Sequence, residues 1–277
     1  MPTPASLPTI VSSAKRLQIF LSSITPRSTL YLDIEGKDLG RRGTLNIITA
    51  LIHPRKQASL IDVQKLGKAA FTTANGAGAT LKSILEDQSV PKYFWDVRTD
   101  AVALWAHHQV RLAGVMDVQL LEKAARRRGG SNTDFIGLRN AVKNDLDLPR
   151  ALLGSWLQNK QHAAALFRAR QDIFSLRPLR KKVKRYCVDD VEHLPALAER
   201  YVDRLDAQGL ERVRKRERSG SRGKKNTAII LLEEWLASLL RWLYHPSRYC
   251  EAPYNTHKPQ GQRKTLTVTS ICLHLPG

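Results

Sequence analysis

Apolar and polar positions along residues 1–205 follow the pattern of an α/β domain. Three apolar, β-branched runs, at 28–34, 45–53 and 58–63, are bounded by turn residues and predict three strands. Only short polar turns join these runs, one of them the sequence GRRG and the other PRKQ. Short connections favour antiparallel pairing, so the three runs predict an antiparallel meander.

The pattern on either side of this meander alternates between helix and strand. An opening helix is predicted at 11–21. After the meander, the predicted elements are a helix at 81–85, a strand at 92–95, a helix at 100–108, a strand at 114–118 and mostly helix up to Leu205. Three meandering strands followed by βαβ units predict a mixed sheet with helices on both faces.

The length and composition of the chain bound its organisation. With 277 residues, 42% of them hydrophobic, there is room for one sizeable core, and a second full domain is not expected. We therefore assign residues 1–205 to one domain and residues 206–277 to a basic C-terminal extension. An apolar segment at 226–244 predicts a helix within the extension, and the residues after it predict an irregular tail.

Four carboxylates and one tyrosine are the candidate functional residues. Asp33 and Glu35 alternate at the end of an apolar run, so both side chains project from the same face of one strand. Two acids on one face repel each other unless cations lie between them. Asp100 falls in the first turn of a predicted helix, and Tyr186 and Asp190 are four residues apart on another.

Such a set of carboxylates suits hard divalent cations. Mg²⁺ and Mn²⁺ prefer carboxylate and water oxygens, and two ions roughly 4 Å apart can hold the attacking and the leaving oxygen of a phosphodiester. A tyrosine hydroxyl can orient the attacking water through a hydrogen bond. The pattern therefore predicts two-metal hydrolysis with two Mg²⁺ or Mn²⁺ ions in one site.

The order D-x-E, then a distant D, then Y-x-x-x-D resembles the 3′-5′ exonucleases of the ribonuclease-H-like fold that carry a tyrosine in the third motif. The segment RPL, with six residues between it and the tyrosine, resembles ribonuclease D. The segment DIEGKDLGRRG resembles Egalitarian-like exonuclease-domain proteins, and Asp117 falls where the family has a strand leading into D-x-Q. The resemblance extends over roughly residues 10–205.

This resemblance implies a ribonuclease-H-like mixed sheet and a 3′-5′ exonuclease that acts on 3′ ends of single-stranded nucleic acid and releases nucleoside 5′-monophosphates. It favours RNA over DNA as substrate. It implies that Asp33, Glu35, Asp100 and Asp190 bind the metal ions and that Tyr186 completes the catalytic set. The alternative is a catalytically silent nucleic-acid-binding adaptor with the same fold, and a purely structural basic protein would leave the carboxylates unexplained.

Two of these assignments have a second candidate beside them. In the third motif Asp189 is adjacent to Asp190 and would point about 100° away around a helix. The four-residue spacing from Tyr186 selects Asp190. Asp96 lies near Asp100, and we interpret it as a supporting residue at the end of the strand, because Asp100 is the acid followed by a helical apolar pattern.

The charge of the chain favours a polyanionic partner. The net charge is +20 and the pI about 10.2, and basic surface attracts phosphate backbones. We expect five residues to contact the substrate, although Trp95 stands where ribonuclease D relatives often have a histidine. These residues are Gly36, Trp95, Arg98, Lys181 and Lys182.

Three scattered cysteines, Cys187, Cys250 and Cys272, predict neither a zinc motif nor a disulfide framework, which favours a reducing compartment. No segment has the pattern of a signal peptide or a membrane span, so we expect an intracellular protein without membrane contact. Basic runs at 180–185 and 212–225 are candidate nuclear import signals, and both nucleus and cytoplasm stay open. Because the first run lies within the domain beside Tyr186, substrate contact or a solvated helix face is favoured there.

Overall fold

A computed structural model of the chain describes residues 8–126, 135–168 and 172–205. The predicted extension at 206–277, with its helix and its basic run, lies outside these residues. The strands are β1 Thr9–Val11, β2 Thr29–Glu35, β3 Ile47–His53, β4 Gln57–Asp62, β5 Lys92–Phe94 and β6 Val115–Asp117. The helices are α1 Ala14–Ser22, α2 Val63–Leu66, α3 Ala69–Thr72, α4 Leu81–Glu86, α5 Arg98–His108, α6 Val118–Ala125, α7 Leu138–Asp145, α8 Arg150–Arg168, α9 Lys181–Asp189 and α10 Leu194–Arg204.

The six strands form one mixed sheet in the order β1-β4-β3-β2-β5-β6. The predicted meander is confirmed, because β3 pairs antiparallel with both β2 and β4. Strands β5 and β6 continue the sheet parallel to β2, and β1 pairs parallel with β4 at the other edge. The C-terminal ends of β2, β5 and β6 therefore lie at the same end of the sheet. The predicted acidic residues Asp33 and Glu35 are at this end of β2.

The predicted opening helix at 11–21 is wrong at its start. The chain first forms the short strand β1, and helix α1 begins only at Ala14. Ser13 has an extended backbone, and its hydroxyl accepts a hydrogen bond from the backbone N–H of Arg16, which fixes the beginning of the helix. Val11 is buried and belongs to the sheet.

Alternation along β2 sends its side chains to two different surroundings. Leu30, Leu32 and Ile34 belong to a hydrophobic cluster that includes residues of α1, α4 and α5. Tyr31 belongs to a second cluster, with residues of α6, α7, α8 and α10. Because side chains two apart share a face, Asp33 and Glu35 project toward this second layer of helices.

Helix α9 closes the second face beside these acids. Its Val183 and Cys187 pack with Ile47 of β3 and Leu60 of β4 in a third cluster. Helices therefore cover both faces of the sheet, and the predicted ribonuclease-H-like architecture is confirmed. None of the helices in the described part of the chain is both long and apolar enough to cross a bilayer.

Candidate active site

The end of β2 and the end of α9 bring three carboxylates together. Carboxylate oxygens of Asp33, Glu35 and Asp190 all lie within 4.8 Å of one another. Asp33 and Glu35 meet because they are two apart on a strand, whereas Asp190 is the capping residue immediately after α9. The packing of Val183 and Cys187 on β3 and β4 therefore determines where Asp190 lies.

Asp100, the fourth predicted metal ligand, lies near this group but outside it. It is buried in the first turn of α5, whose Ala103 and Leu104 pack in the first hydrophobic cluster. Asp100 therefore approaches the C-terminal end of β2 from the helices on the first face of the sheet, whereas α9 lies on the second face. Burial raises its pKa well above the ordinary value, and the charge of Asp33 raises it further.

Burial of several acids in one place changes how readily they ionise. Burial, followed by the charge of Asp190, raises the pKa of Asp33 to about 7. Burial and the charges of Asp33 and Asp190 raise the pKa of Glu35 well above its ordinary value. Like charges disfavour one another's ionised form, so in the absence of a divalent ion the pKa values of these acids are raised.

Among the described residues, Lys160 of α8 brings a positive charge to the group of three carboxylates. Its ammonium group forms an ion pair with the Asp190 carboxylate and lies 4.2 Å from the ring centroid of Tyr186. The sequence analysis did not identify Lys160. Its only signal was a lysine 26 residues before the tyrosine, and the packing of α8 against α9 that joins them is not visible in the sequence.

Tyr186 lies one helical turn before Asp190 and faces the carboxylates. Burial raises the pKa of its hydroxyl well above the ordinary value, and the charges of Asp190, Glu35 and Asp33 raise it further. The hydroxyl therefore stays protonated, which suits a group that orients a water molecule and does not suit a phenolate base.

The donor set fits a hard divalent cation. Asp33, Glu35 and Asp190 supply only carboxylate oxygens, the ligands that Mg²⁺ and Mn²⁺ prefer. The Oδ2 atom of Asp190 is buried and has no hydrogen-bond partner among the described residues. A buried carboxylate oxygen without a donor is costly, and a bound cation would satisfy it.

Asp189 has a structural environment that differs from that of Asp190. Its side chain is fully buried, and its carboxylate lies 2.6 Å from the guanidinium of Arg185, which also binds Glu192. Burial raises the pKa of Asp189 to about 8, although the charge of Arg185 acts in the opposite direction. Asp189 is not a member of the group of three carboxylates within 4.8 Å of one another, and its assignment outside the metal site stays a prediction.

The segment between β5 and α5 is held by Asp117 at the end of β6. The carboxylate of Asp117 accepts hydrogen bonds from the backbone N–H of Asp96 at 3.1 Å and of Val97 at 3.2 Å. It also accepts one from Gln119 N–H, which caps α6. Asp117 thus fixes the backbone that leads into Asp100. The sequence pattern of a strand followed by D-x-Q indicated the position of Asp117 but not this role.

The RPL segment before α9 is anchored to the end of β4. Arg177 donates two hydrogen bonds of 2.6 Å to the carboxylate of Asp62. The side-chain amide of Gln64 donates to the carbonyl of Ser175 at 3.1 Å. These contacts attach the segment that precedes α9 to the C-terminal end of β4, which is at the same end of the sheet as Glu35.

The predicted substrate contacts lie in different surroundings. Arg98 donates two hydrogen bonds, of 2.5 and 2.7 Å, to Asp96 and lies over the ring of Phe135. Trp95 is partly buried against the second hydrophobic cluster. Lys181 and Lys182 are exposed in the first turn of α9.

Gly36 follows the two strand acids, and its lack of a side chain has a structural reason. A Cβ atom at this position would lie 1.8 Å from the carbonyl oxygen of Thr44, so the backbone after β2 packs directly on the next segment. A substrate contact through Gly36 stays a prediction, but the close backbone approach already requires glycine.

The sequence as a whole matches a known family. The family model for 3′-5′ exonucleases matches residues 8–206, which is most of the chain. The protein therefore belongs to the 3′-5′ exonuclease family. Among curated proteins, none matches the sequence significantly.

Solved nuclease structures share this fold. RNase D of Trypanosoma brucei with GMP superposes with a TM-score of 0.60 at 24% identity, over 71% of this chain and 57% of that one. The catalytic core of RRP6 from Trypanosoma brucei has a TM-score of 0.56 at 14% identity, over 79% and 52% of the two chains. The chain thus spans little more than half the length of these proteins.

Proposed function

We propose that this protein is a divalent-metal-dependent 3′-5′ exonuclease. It removes nucleotides from the 3′ end of single-stranded nucleic acid and releases nucleoside 5′-monophosphates. The observation that carries the proposal is the convergence of Asp33, Glu35 and Asp190 within 4.8 Å, beside Tyr186. A family member that had lost catalysis would have no need to retain three mutually repelling acids in a largely buried place.

Asp33, Glu35 and Asp190 would hold two Mg²⁺ or Mn²⁺ ions, and Asp100 would complete the ligand set from the N-terminal turn of α5. Such ions, when bound, supply an activated water and a cationic partner for the leaving 3′-oxygen. The Tyr186 hydroxyl, which stays protonated, orients that water by a hydrogen bond. Asp117 and Arg177 act indirectly, because they hold the backbone that carries Asp100 and Tyr186.

RNA is the favoured substrate over DNA. The resemblance of the RPL segment and the third motif to ribonuclease D supports this preference. A solved RNase D structure from Trypanosoma brucei, 23% identical to this chain, contains an RNA, U12. Because single strands without sequence preference are held mainly through phosphates and stacked bases, a +20 chain suits such a substrate.

The exposed lysines of α9 extend the proposed site toward the phosphate backbone. Lys181 and Lys182 lie in the first turn of the helix that carries Tyr186, and Lys182 lines a small cavity beside the tyrosine ring. They would hold phosphates near the cleaved bond. Trp95, Arg98 and Gly36 belong to the same proposal as contacts to the terminal nucleotides.

Degradation of labelled single strands tests the proposed activity. RNA and DNA oligonucleotides of one sequence, labelled at the 5′ or the 3′ end, are incubated with the protein and Mg²⁺ or Mn²⁺, with EDTA and Asp33→Asn as controls. We expect the 5′ label to move down a ladder one nucleotide at a time, and the 3′ label to appear at once as a nucleoside 5′-monophosphate. RNA should be degraded faster than DNA.

Two other outcomes would contradict the proposal. Internal fragments from both labels would indicate an endonuclease. Tight binding of the strand without cleavage, in Mg²⁺ and in Mn²⁺, would indicate the nucleic-acid-binding adaptor instead.

A further inference from the structure

Lys160 occupies a position inside the carboxylate site that the proposed chemistry does not use. It lies on α8, and its side chain is only 12% exposed. Its ammonium group forms an ion pair with Asp190 and lies over the rings of Tyr186, at 4.2 Å, and Trp156, at 5.6 Å. The two rings and the carboxylate hold this lysine in place, unlike a surface lysine that only meets solvent.

The charge of Lys160 reaches the other acids of the site. It favours the ionised forms of Asp33 and Glu35 as well as that of Asp189. Arg185 of α9 is engaged by Asp189 and Glu192. Among the described residues, Lys160 is therefore the cation that forms an ion pair with one of the proposed metal-ligand carboxylates.

A bound divalent ion and the Lys160 ammonium group would have to share the same carboxylate. Both are attracted by Asp190, and two cations a few ångströms apart in a largely buried site repel each other strongly. The buried Oδ2 atom of Asp190, which has no hydrogen-bond donor, shows that Lys160 satisfies this carboxylate only in part. A divalent ion and the Lys160 ammonium group therefore compete for the Asp190 carboxylate.

We propose that Lys160 is a resident counter-cation of the carboxylate site. Its ammonium group holds Asp190 when no divalent ion is bound and releases it when an ion binds. Lys160 is thus a positioning residue that keeps the ligands together before loading and sets how much metal the site requires. The identity of the ion rests on the proposed function, but the competition itself needs only the geometry around Asp190.

Calorimetric titration with Mn²⁺ in the absence of nucleic acid tests this competition. Lys160→Met removes the charge while keeping a long side chain against Tyr186 and Trp156. We expect it to bind Mn²⁺ about tenfold more tightly than the wild type, because loading no longer displaces a cation. The metal-free variant should melt at a lower temperature than the metal-free wild type and regain that loss when Mn²⁺ is added.

Three further variants test whether any change in Mn²⁺ affinity comes from the charge of Lys160. Lys160→Arg keeps the positive charge and should bind Mn²⁺ within about threefold of the wild type. Lys15→Met removes one charge from an exposed position on α1, on the other side of the sheet, and should leave the affinity unchanged. If Lys160→Met is too unstable to purify, Lys160→Gln provides the same neutral test.

The outcome separates this inference from the proposed function. An affinity of Lys160→Met that is unchanged or weaker than that of the wild type would overturn the counter-cation role. Such a result leaves the metal site intact, provided that the wild type binds Mn²⁺ and Asp33→Asn binds it more weakly or with fewer ions. Failure of the wild type itself to bind Mn²⁺ would contradict the proposed function and the inference together.

Discussion

Asp189 and Asp190 are adjacent in the chain, but their carboxylates pair with different cations. The Asp189 carboxylate is buried and lies 2.6 Å from the guanidinium of Arg185. Asp190 pairs with Lys160 and lies within 4.8 Å of Asp33 and Glu35. Asp190, the residue immediately after α9, keeps a right-handed helical backbone, so the two side chains project about 100° apart around the helix axis.

This difference predicts unequal effects of two matched substitutions. Asp190→Asn removes a charged metal ligand and should lower exonuclease turnover by more than about a hundredfold, since even indirect partners of metal ligands contribute 10- to 100-fold. Asp189→Asn should retain activity within about tenfold and lower stability by roughly 1–3 kcal/mol, because Arg185 loses one partner. Turnover and thermal unfolding of the two variants are compared under identical conditions. Equal losses of turnover would show that the third motif is assigned in the wrong register.

A second prediction concerns the hydroxyl of Tyr186. If this group only orients water, Tyr186→Phe should lower turnover about 10- to 100-fold and leave the affinity for Mn²⁺ unchanged. Tyr201→Phe is the matched control, because it also removes a buried hydroxyl, one that donates to Asp145 at 3.0 Å between α10 and α7. The control should lose some stability and little turnover. A Tyr186→Phe protein with full turnover would remove the tyrosine from the proposed mechanism.

A third prediction concerns Gly36. A methyl group at this position would overlap the Thr44 carbonyl, so Gly36→Ala has to move the backbone that follows Glu35. We expect a loss of about 1–3 kcal/mol or more in the free energy of unfolding and a weaker affinity for Mn²⁺. Gly76→Ala, whose added methyl group would meet no atom within 4 Å, should be neutral or slightly stabilising. Chemical denaturation of both variants decides the matter, and equal stabilities would contradict the packing described here.

The raised pKa values predict how stability depends on pH. Asp33 has a pKa of about 7 in the folded protein and an ordinary value of 3.8, so the folded state binds more protons between these values. Stability of the metal-free protein should therefore fall as pH rises from about 4 through 7. Saturating Mn²⁺ should reduce the fall, because the ion replaces the protons. The double variant Asp33→Asn/Glu35→Gln controls for the titration of the rest of the chain. Thermal melts that show the same pH dependence in this variant and in the wild type would contradict the assignment.

The sequence predicted those parts of the fold that depend on local pattern. Strands β2, β3 and β4 were recognisable because apolar runs separated by short turns leave few alternatives to an antiparallel meander. Strand β1 was not predicted, since three residues at the edge of a sheet are too few to show a period. The pairing of β1 with β4 joins residues that are fifty positions apart in the sequence.

In the candidate site, too, features that depend on local spacing could be predicted and features that depend on long-range packing could not. Asp33, Glu35 and Asp190 could be selected because spacing within a strand or a helix determines which face they share. The ion pair of Lys160 with Asp190 joins α8 to the end of α9. The backbone N–H groups of Asp96 and Val97 donate hydrogen bonds to the Asp117 carboxylate, and these bonds join the segment after β5 to the end of β6. Such contacts follow from how the elements pack, and no spacing in the sequence encodes them.

The proposed function requires that Asp33, Glu35, Asp100 and Asp190 bind divalent metal ions for phosphodiester hydrolysis. Anomalous diffraction from crystals of the wild type at saturating Mn²⁺ tests this claim most directly, with Asp33→Asn crystals as the control. We predict two peaks roughly 4 Å apart, bonded to Asp33, Glu35, Asp100 and Asp190, and the loss of at least one peak in the variant. Wild-type crystals with no anomalous peak among these four carboxylates would contradict the claim.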